Sequence, residues 1–269
     1  MSLEILKKYS ILAKKSLWQN FLVDQEKVQS IADIIDIFGK NIIEVGPWYG
    51  ALTEKLLEKK PQSLHLVELD RDMVNILEER KSFWELETEG IDFQIFSEDV
   101  LKFDPQFQKY SVIANIPYYI TSPILYHFLY DIVSLPESMV ILMQKDVADK
   151  ILWGKKNKTS VIRLFIEKKC SVFEKVFVPK ESFFPIPKVQ SSVLLFKKHN
   201  NFQDIDDAKF LELIKKWFAE PRKKLIKNLL KAGYTESIVR DFFEQNNLSE
   251  NTRGEDMTVE LWCRLSTLI

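Results

Sequence analysis

Ile42-Ile43-Glu44-Val45-Gly46-Pro47-Trp48-Tyr49-Gly50-Ala51 decides the fold of this chain. A short β-branched run stops at a glycine-bounded loop, and helical periodicity starts at Ala51, so the stretch predicts a β-loop-α unit. Upstream lies a periodic helix with Asp24 as its N-cap. Downstream, strands are expected at Leu64 to Leu69, with an acidic end, at Phe93 to Phe96, ending near Asp99, at Ser111 to Ala114 and at Ser138 to Gln144. Ser122-Pro123 carries the chemistry of a helix start. Ser171 to Val178 and Ser191 to Lys197 are β-rich and flank a loop with three prolines, as in a terminal hairpin. The alternation predicts an α/β fold with a doubly wound, mostly parallel sheet. After His199-Asn200-Asn201 only helical periodicity remains, so a boundary is expected near residue 200. It separates a domain over 1–200 from a small all-helical domain over 201–269.

The chain has 269 residues, 46% hydrophobic and 29% charged, which suits a water-soluble protein with a large core. Cys170 and Cys263 are far apart and His65, His127 and His199 form no cluster, so neither a disulfide framework nor a metal site is expected. Charges at the start of the chain leave no signal sequence, and no apolar run has the length of a membrane span. A cytoplasmic protein with no membrane association is expected. The formal net charge is −1, yet Lys14-Lys15, Lys155-Lys156-Asn157-Lys158, Lys197-Lys198 and Arg222-Lys223-Lys224 form clumps. They are solvated faces or, gathered on one side, phosphate contacts.

In open α/β sheets ligands lie beyond the carboxyl ends of the strands, which here are Gly46 to Gly50, Glu68 and Asp99. Glu68 follows the loop by about 20 residues, the separation at which a carboxylate meets ribose hydroxyls. Asp99 is placed for an adenine amino group. The loop lacks GxGxxG, which favours a cofactor without a pyrophosphate, S-adenosyl-L-methionine. A surface acid beside a helix start is the other reading of Glu68. Asn115-Ile116-Pro117-Tyr118-Tyr119 then combines an amide, a rigid turn and an aromatic face, the parts that hold a planar exocyclic amine. A plain strand-ending turn with core tyrosines is the alternative.

Gln19-Asn20-Phe21-Leu22, Glu44-Val45-Gly46-Pro47, Val67-Glu68-Leu69-Asp70, Asn115-Ile116-Pro117-Tyr118, Phe183-Phe184-Pro185-Ile186-Pro187-Lys188-Val189 and Arg222-Lys223-Lys224 occur in one order. In that order they resemble the KsgA-type small-subunit rRNA adenine dimethyltransferases over nearly the whole chain. The resemblance implies a Rossmann-like class I methyltransferase fold, N6,N6-dimethylation of two adjacent adenines near the 3′ end of 16S rRNA in the small subunit or its precursor, and a helical RNA-binding tail. It implies that Asn20, Leu22, Gly46, Glu68, Asp99 and Asn115 contact S-adenosylmethionine. The amine is expected on the Asn115 side chain and the Ile116 carbonyl, with Tyr118 and Phe183 sandwiching a flipped-out base. Lys188, Arg222, Lys223 and Lys224 are expected on RNA, and the protein is expected to be a monomer. A DNA adenine methyltransferase is an alternative opposed by the QNFL start and the helical tail.

Trp18 and Trp48 depart from the pattern, standing where the family has glycine. If position 48 has positive φ, a side chain there costs roughly 1–2 kcal/mol. Only 7 glycines accompany 6 tryptophans, under half the usual glycine share of roughly 7%. Glycine codons of the UGA type, translated with a table that reads UGA as tryptophan, would produce this pattern. A ribosome-assembly factor that has lost cofactor affinity through Trp18 and Trp48 is the competing reading from another class.

Overall fold

A computed structural model describes residues 8–9, 20–84, 88–117, 120–152, 159–218, 220 and 223–268. Its strands are β1 (Phe21–Leu22), β2 (Asn41–Val45), β3 (Ser63–Glu68), β4 (Asp92–Ser97), β5 (Ser111–Asn115), β6 (Ser138–Gln144), β7 (Cys170–Val178), β8 (Phe183–Phe184) and β9 (Ser191–Lys198). Its α-helices are α1 (Gln25–Ala32), α2 (Ala51–Leu57), α3 (Arg71–Lys81), α4 (Thr121–Tyr126), α5 (Lys145–Leu152), α6 (Val161–Glu167), α7 (Asp207–Phe218), α8 (Leu225–Lys231), α9 (Glu236–Gln245) and α10 (Val259–Leu268).

Seven strands form one sheet in the order β4-β3-β2-β5-β6-β9-β7. The pairs β2/β3, β2/β5, β3/β4 and β5/β6 are parallel, and β9 runs antiparallel to β6. The expected doubly wound sheet is therefore present, and its order reverses between β2 and β5, where such sheets open a crevice. β2, β3, β5 and β6 are buried nearly end to end, which is why they read as continuous apolar runs rather than alternating ones. The core cluster draws on Val28 and Ile31 of α1, Leu52 and Leu56 of α2 and Leu64, Ile113 and Val140 of the sheet.

Local chemistry sets the element starts. The Asp24 carboxylate accepts the N–H groups of Glu26 and Lys27, capping α1, and also the hydroxyl of Ser182 at 2.7 Å. That last bond ties the chain start to the proline loop, where β1 and β8 pair antiparallel, Leu22 opposite Phe183. Helix α4 begins at Thr121 without a side-chain cap, so Ser122-Pro123 lies inside its first turn, where the missing proline N–H costs nothing. It runs on into a π-turn over His127–Asp131.

The described residues divide into two compact units, one reaching Ala148 and resuming over Val172–Lys198, the other comprising Asp149–Ser171 and the chain from His199. The chain crosses between them three times, and a single cut near residue 200 captures only the last crossing. In the second unit the side chain of Lys168, at the end of α6, is buried and donates to the Ile205 carbonyl at 2.8 Å and to Asp207 at the start of α7. Lys169 also pairs with Asp207.

Candidate active site

The carboxyl ends of β2, β3 and β5 converge on one cleft. Gly46 has φ +68°, and a Cβ there would lie 2.5 Å from the Asn115 carbonyl oxygen. The first turn of the loop thus passes against the end of β5, which any side chain would prevent. Beside it lies a cavity of about 260 Å³ whose walls include Glu68, Asp99, Val100, Ile116, Pro117 and Ile120. Of the six expected cofactor residues, Gly46, Glu68 and Asp99 line it; Leu22 and Asn115 border a separate small pocket, and Asn20 lines neither.

Glu68 is buried. Its Oε1 accepts the Asp70 N–H at 2.9 Å and its Oε2 the Trp48 N–H at 3.3 Å. Burial pushes its carboxyl up to about 7; the N–H bonds oppose that rise and the Asp70 charge adds to it. Glu68 is therefore not a surface acid, although its carboxylate does bind the backbone at the N-cap of α3. Asp99 lines the same cavity and uses Oδ1 to accept the Leu101 N–H at 3.0 Å.

A second acid lies beneath the loop. Glu44 is fully buried and raised to about 8, first by burial. Its Oε2 accepts the Thr53 hydroxyl at 2.7 Å, while Oε1 has no hydrogen-bond partner among the described residues. Sequence reasoning assigned Glu44 no role, although an acid inside a β-branched strand is itself a signal.

Asn115 ends β5, and its side-chain amide has no partner among the described residues. Its carbonyl accepts the Trp48 indole N–H at 2.6 Å. Trp48 is 5% exposed with φ +56°, and Phe21 packs edge-on against its ring at 5.6 Å. Position 48 does take the left-handed backbone that would suit glycine, and the indole is turned inward rather than toward solvent. Leu22 is buried, with its carbonyl accepting the Tyr49 hydroxyl at 2.8 Å, and Asn20 immediately precedes β1.

Phe183 is 2% exposed and packs in the core with Leu22 and Val178, whereas Phe184 is 48% exposed. Strand alternation turns neighbouring residues to opposite sides, so the ring expected to stack on a base faces inward here and its neighbour faces out. Lys188 is exposed in the same loop. Lys223 pairs with Glu220 at 2.7 Å, and Lys224 is the N-cap of α8. Tyr118, Trp18 and Arg222 lie outside the described residues. No group of metal-ligating side chains occurs among the described residues, and no described helix is long and apolar enough to cross a membrane.

The cavity suits an adenosine: a buried carboxylate where ribose hydroxyls would sit, a second acid at Asp99 and apolar walls that include Val100, Ile116 and Ile120. With the doubly wound sheet and its crevice between β2 and β5, this defines an S-adenosylmethionine-dependent methyltransferase. Two solved structures share the fold. A dimethyladenosine transferase from Plasmodium falciparum superposes with TM-score 0.77 at 20% identity, over 91% of this chain and 95% of its own. The 23S rRNA methyltransferase ErmE gives 0.74 at 20% identity, over 93% and 99%.

The chain belongs to the ribosomal RNA adenine dimethylase family, whose sequence profile matches residues 11–269. Proteins named ribosomal RNA small subunit methyltransferase A are among its relatives. The one from Mycoplasmopsis pulmonis is 37% identical, covering 92% of this chain and 95% of its own. The one from Pelagibacter ubique is 34% identical, covering 95% and 96%.

Proposed function

We propose that the protein dimethylates N6 of two adjacent adenines near the 3′ end of small-subunit (16S) rRNA, acting as a monomer in the cytoplasm on the small subunit or its precursor. The observation that carries this reading is the Asn115 amide, free of protein partners among the described residues, at the end of a strand whose carbonyl abuts the glycine loop. The naming of relatives for small-subunit rRNA methylation supports the substrate.

The adenine amine is a weak nucleophile because its lone pair is delocalised into the ring. The Asn115 side-chain oxygen and the Ile116 carbonyl accept its two N–H bonds and hold the nitrogen so that its lone pair faces the cleft. S-adenosylmethionine, when bound, supplies an electrophilic methyl on sulfur. Glu68 and Asp99 hold the nucleoside end, and Gly46 lets the backbone approach. Tyr118 and the exposed Phe184, rather than the core-facing Phe183, supply aromatic faces for the extruded base. Lys188, Arg222, Lys223 and Lys224 supply phosphate contacts, which position RNA without reading its sequence.

Asn115→Ala tests the assignment. Turnover should fall about 100- to 1000-fold while cofactor affinity changes only modestly, as expected for an acceptor used in the transition state. Turnover within a few-fold of the parent would remove Asn115 from the chemistry.

A further inference from the structure

Trp48 separates two hollows of the first unit. On one side is the cavity of about 260 Å³ with Glu68 and Asp99; on the other is a pocket of about 10 Å³ bounded by Leu22, Val28, Leu52 and Asn115. Trp48 lines both. The residue also touches both ends of the span between the acid and the strand end. Its backbone N–H is 3.3 Å from Glu68 Oε2, and its indole N–H is 2.6 Å from the Asn115 carbonyl.

A cofactor whose ribose lies at Glu68 and whose methyl is delivered in front of Asn115 has to cross that span, and the ring now fills it. The occupation is tight, with Phe21 edge-on against the ring. The backbone bears the same mark, since φ +56° is a conformation in which a bulky residue is an outlier and a residue without a Cβ is at ease.

We propose that Trp48 occupies the sulfonium and methionine part of the cofactor cleft and sets its ligand selectivity: adenosine enters without moving the indole, and S-adenosylmethionine must displace it. The inference rests on the cofactor site described above. Its consequence is that the chain discriminates against its own methyl donor relative to nucleosides that lack the amino-acid arm. Displacement sacrifices the indole hydrogen bond and the ring contact with Phe21, and both losses weaken binding of the longer ligand alone.

Calorimetric titration of adenosine and of S-adenosylmethionine into the full chain and into Trp48→Gly separates the possibilities. The expected result is S-adenosylmethionine affinity at least tenfold higher in the variant, about 1.4 kcal/mol, with adenosine affinity changed less than threefold. Trp48→Asn, which tolerates the left-handed backbone and removes the ring, should reproduce the gain. Equal S-adenosylmethionine affinities in parent and variants would overturn the proposal, as would an equal gain for both ligands, which marks a general loosening of the cleft. Adenosine also guards the underlying reading, since a folded chain that binds neither ligand loses the nucleoside site and this inference with it.

Discussion

Glu68 meets the cofactor cleft as a carboxyl raised from 4.5 to about 7 by burial, against the N–H groups of Asp70 and Trp48 and with the Asp70 charge adding to the rise. Ribose hydroxyls donate to the ionised form, so binding expels a proton wherever Glu68 starts protonated. Affinity for S-adenosylmethionine should therefore rise about tenfold between pH 6 and pH 8. Calorimetry in buffers of different ionisation heat checks the proton release, and Glu68→Gln should flatten the profile. In the empty protein the sign reverses. Folded-state values above 4.5 favour the protonated native state, so the contribution of Glu68 is intact below pH 4.5 and is lost as pH rises through about 7. The proline loop yields a second prediction. Phe183→Ala should destabilise the fold by about 3–5 kcal/mol as a core truncation, while Phe184→Ala should leave the melting transition in place and weaken RNA binding. A gel-shift assay and a denaturant titration on each separate the two. Glu68 was legible from its spacing after the glycine loop, Asp99 from the end of its strand and Asn115 from the Asn-Ile-Pro-Tyr turn, whereas Glu44 was not read. The inward turn of Phe183 was not, because it depends on pairing with β1 across most of the chain. Position 48 is a third case, since its positive φ suits glycine. Reading codons 18 and 48 decides between two explanations: UGG at both would end the recoding idea and leave Trp48 as the residue that fills the cleft, whereas UGA at codon 48 would place glycine there and remove the indole.

At the scale of elements, apolar runs and caps located most of the structure. β2, β3, β5 and β6 are continuous because both faces are buried, and α1 begins where Asp24 caps it. Three features escaped that reading. The two-residue strands β1 and β8 are too short to show a period, and the π-turn after α4 has no compositional mark. The membership of Asp149–Ser171 in the second unit rests on partners distant in sequence, chief among them Lys168 with Asp207. Burial alone would raise the Asp207 carboxyl, but hydrogen bonds from Lys168 and Lys169 bring it below its usual range. Asp207→Ala strands the buried Lys168 ammonium. A fully buried pair broken this way costs about 3–5 kcal/mol. Because the Asp207 side chain is 40% exposed, about 2–3 kcal/mol is expected. Urea denaturation of the variant measures it; a loss under about 0.5 kcal/mol would show that the pair does not hold α6 to α7.

For the whole molecule, strands of the seven-stranded sheet end at or just before Gly46, Glu68, Asp99 and Asn115, while the second unit takes helices from before and after the last two long strands in sequence. The chain leaves the first unit after Ala148, returns for Val172–Lys198 and leaves again at His199. That itinerary has a meaning in time as well as in space. Chains are made from the amino end, and compact units fold as their parts emerge. The segment over Asp149–Ser171 is synthesised first and must wait, with Lys168 and its apolar helix face unmatched, while the closing strands of the sheet are made. Its partners arrive only with the final stretch of the chain. The first unit can therefore be complete on a nascent chain while the second is still half written.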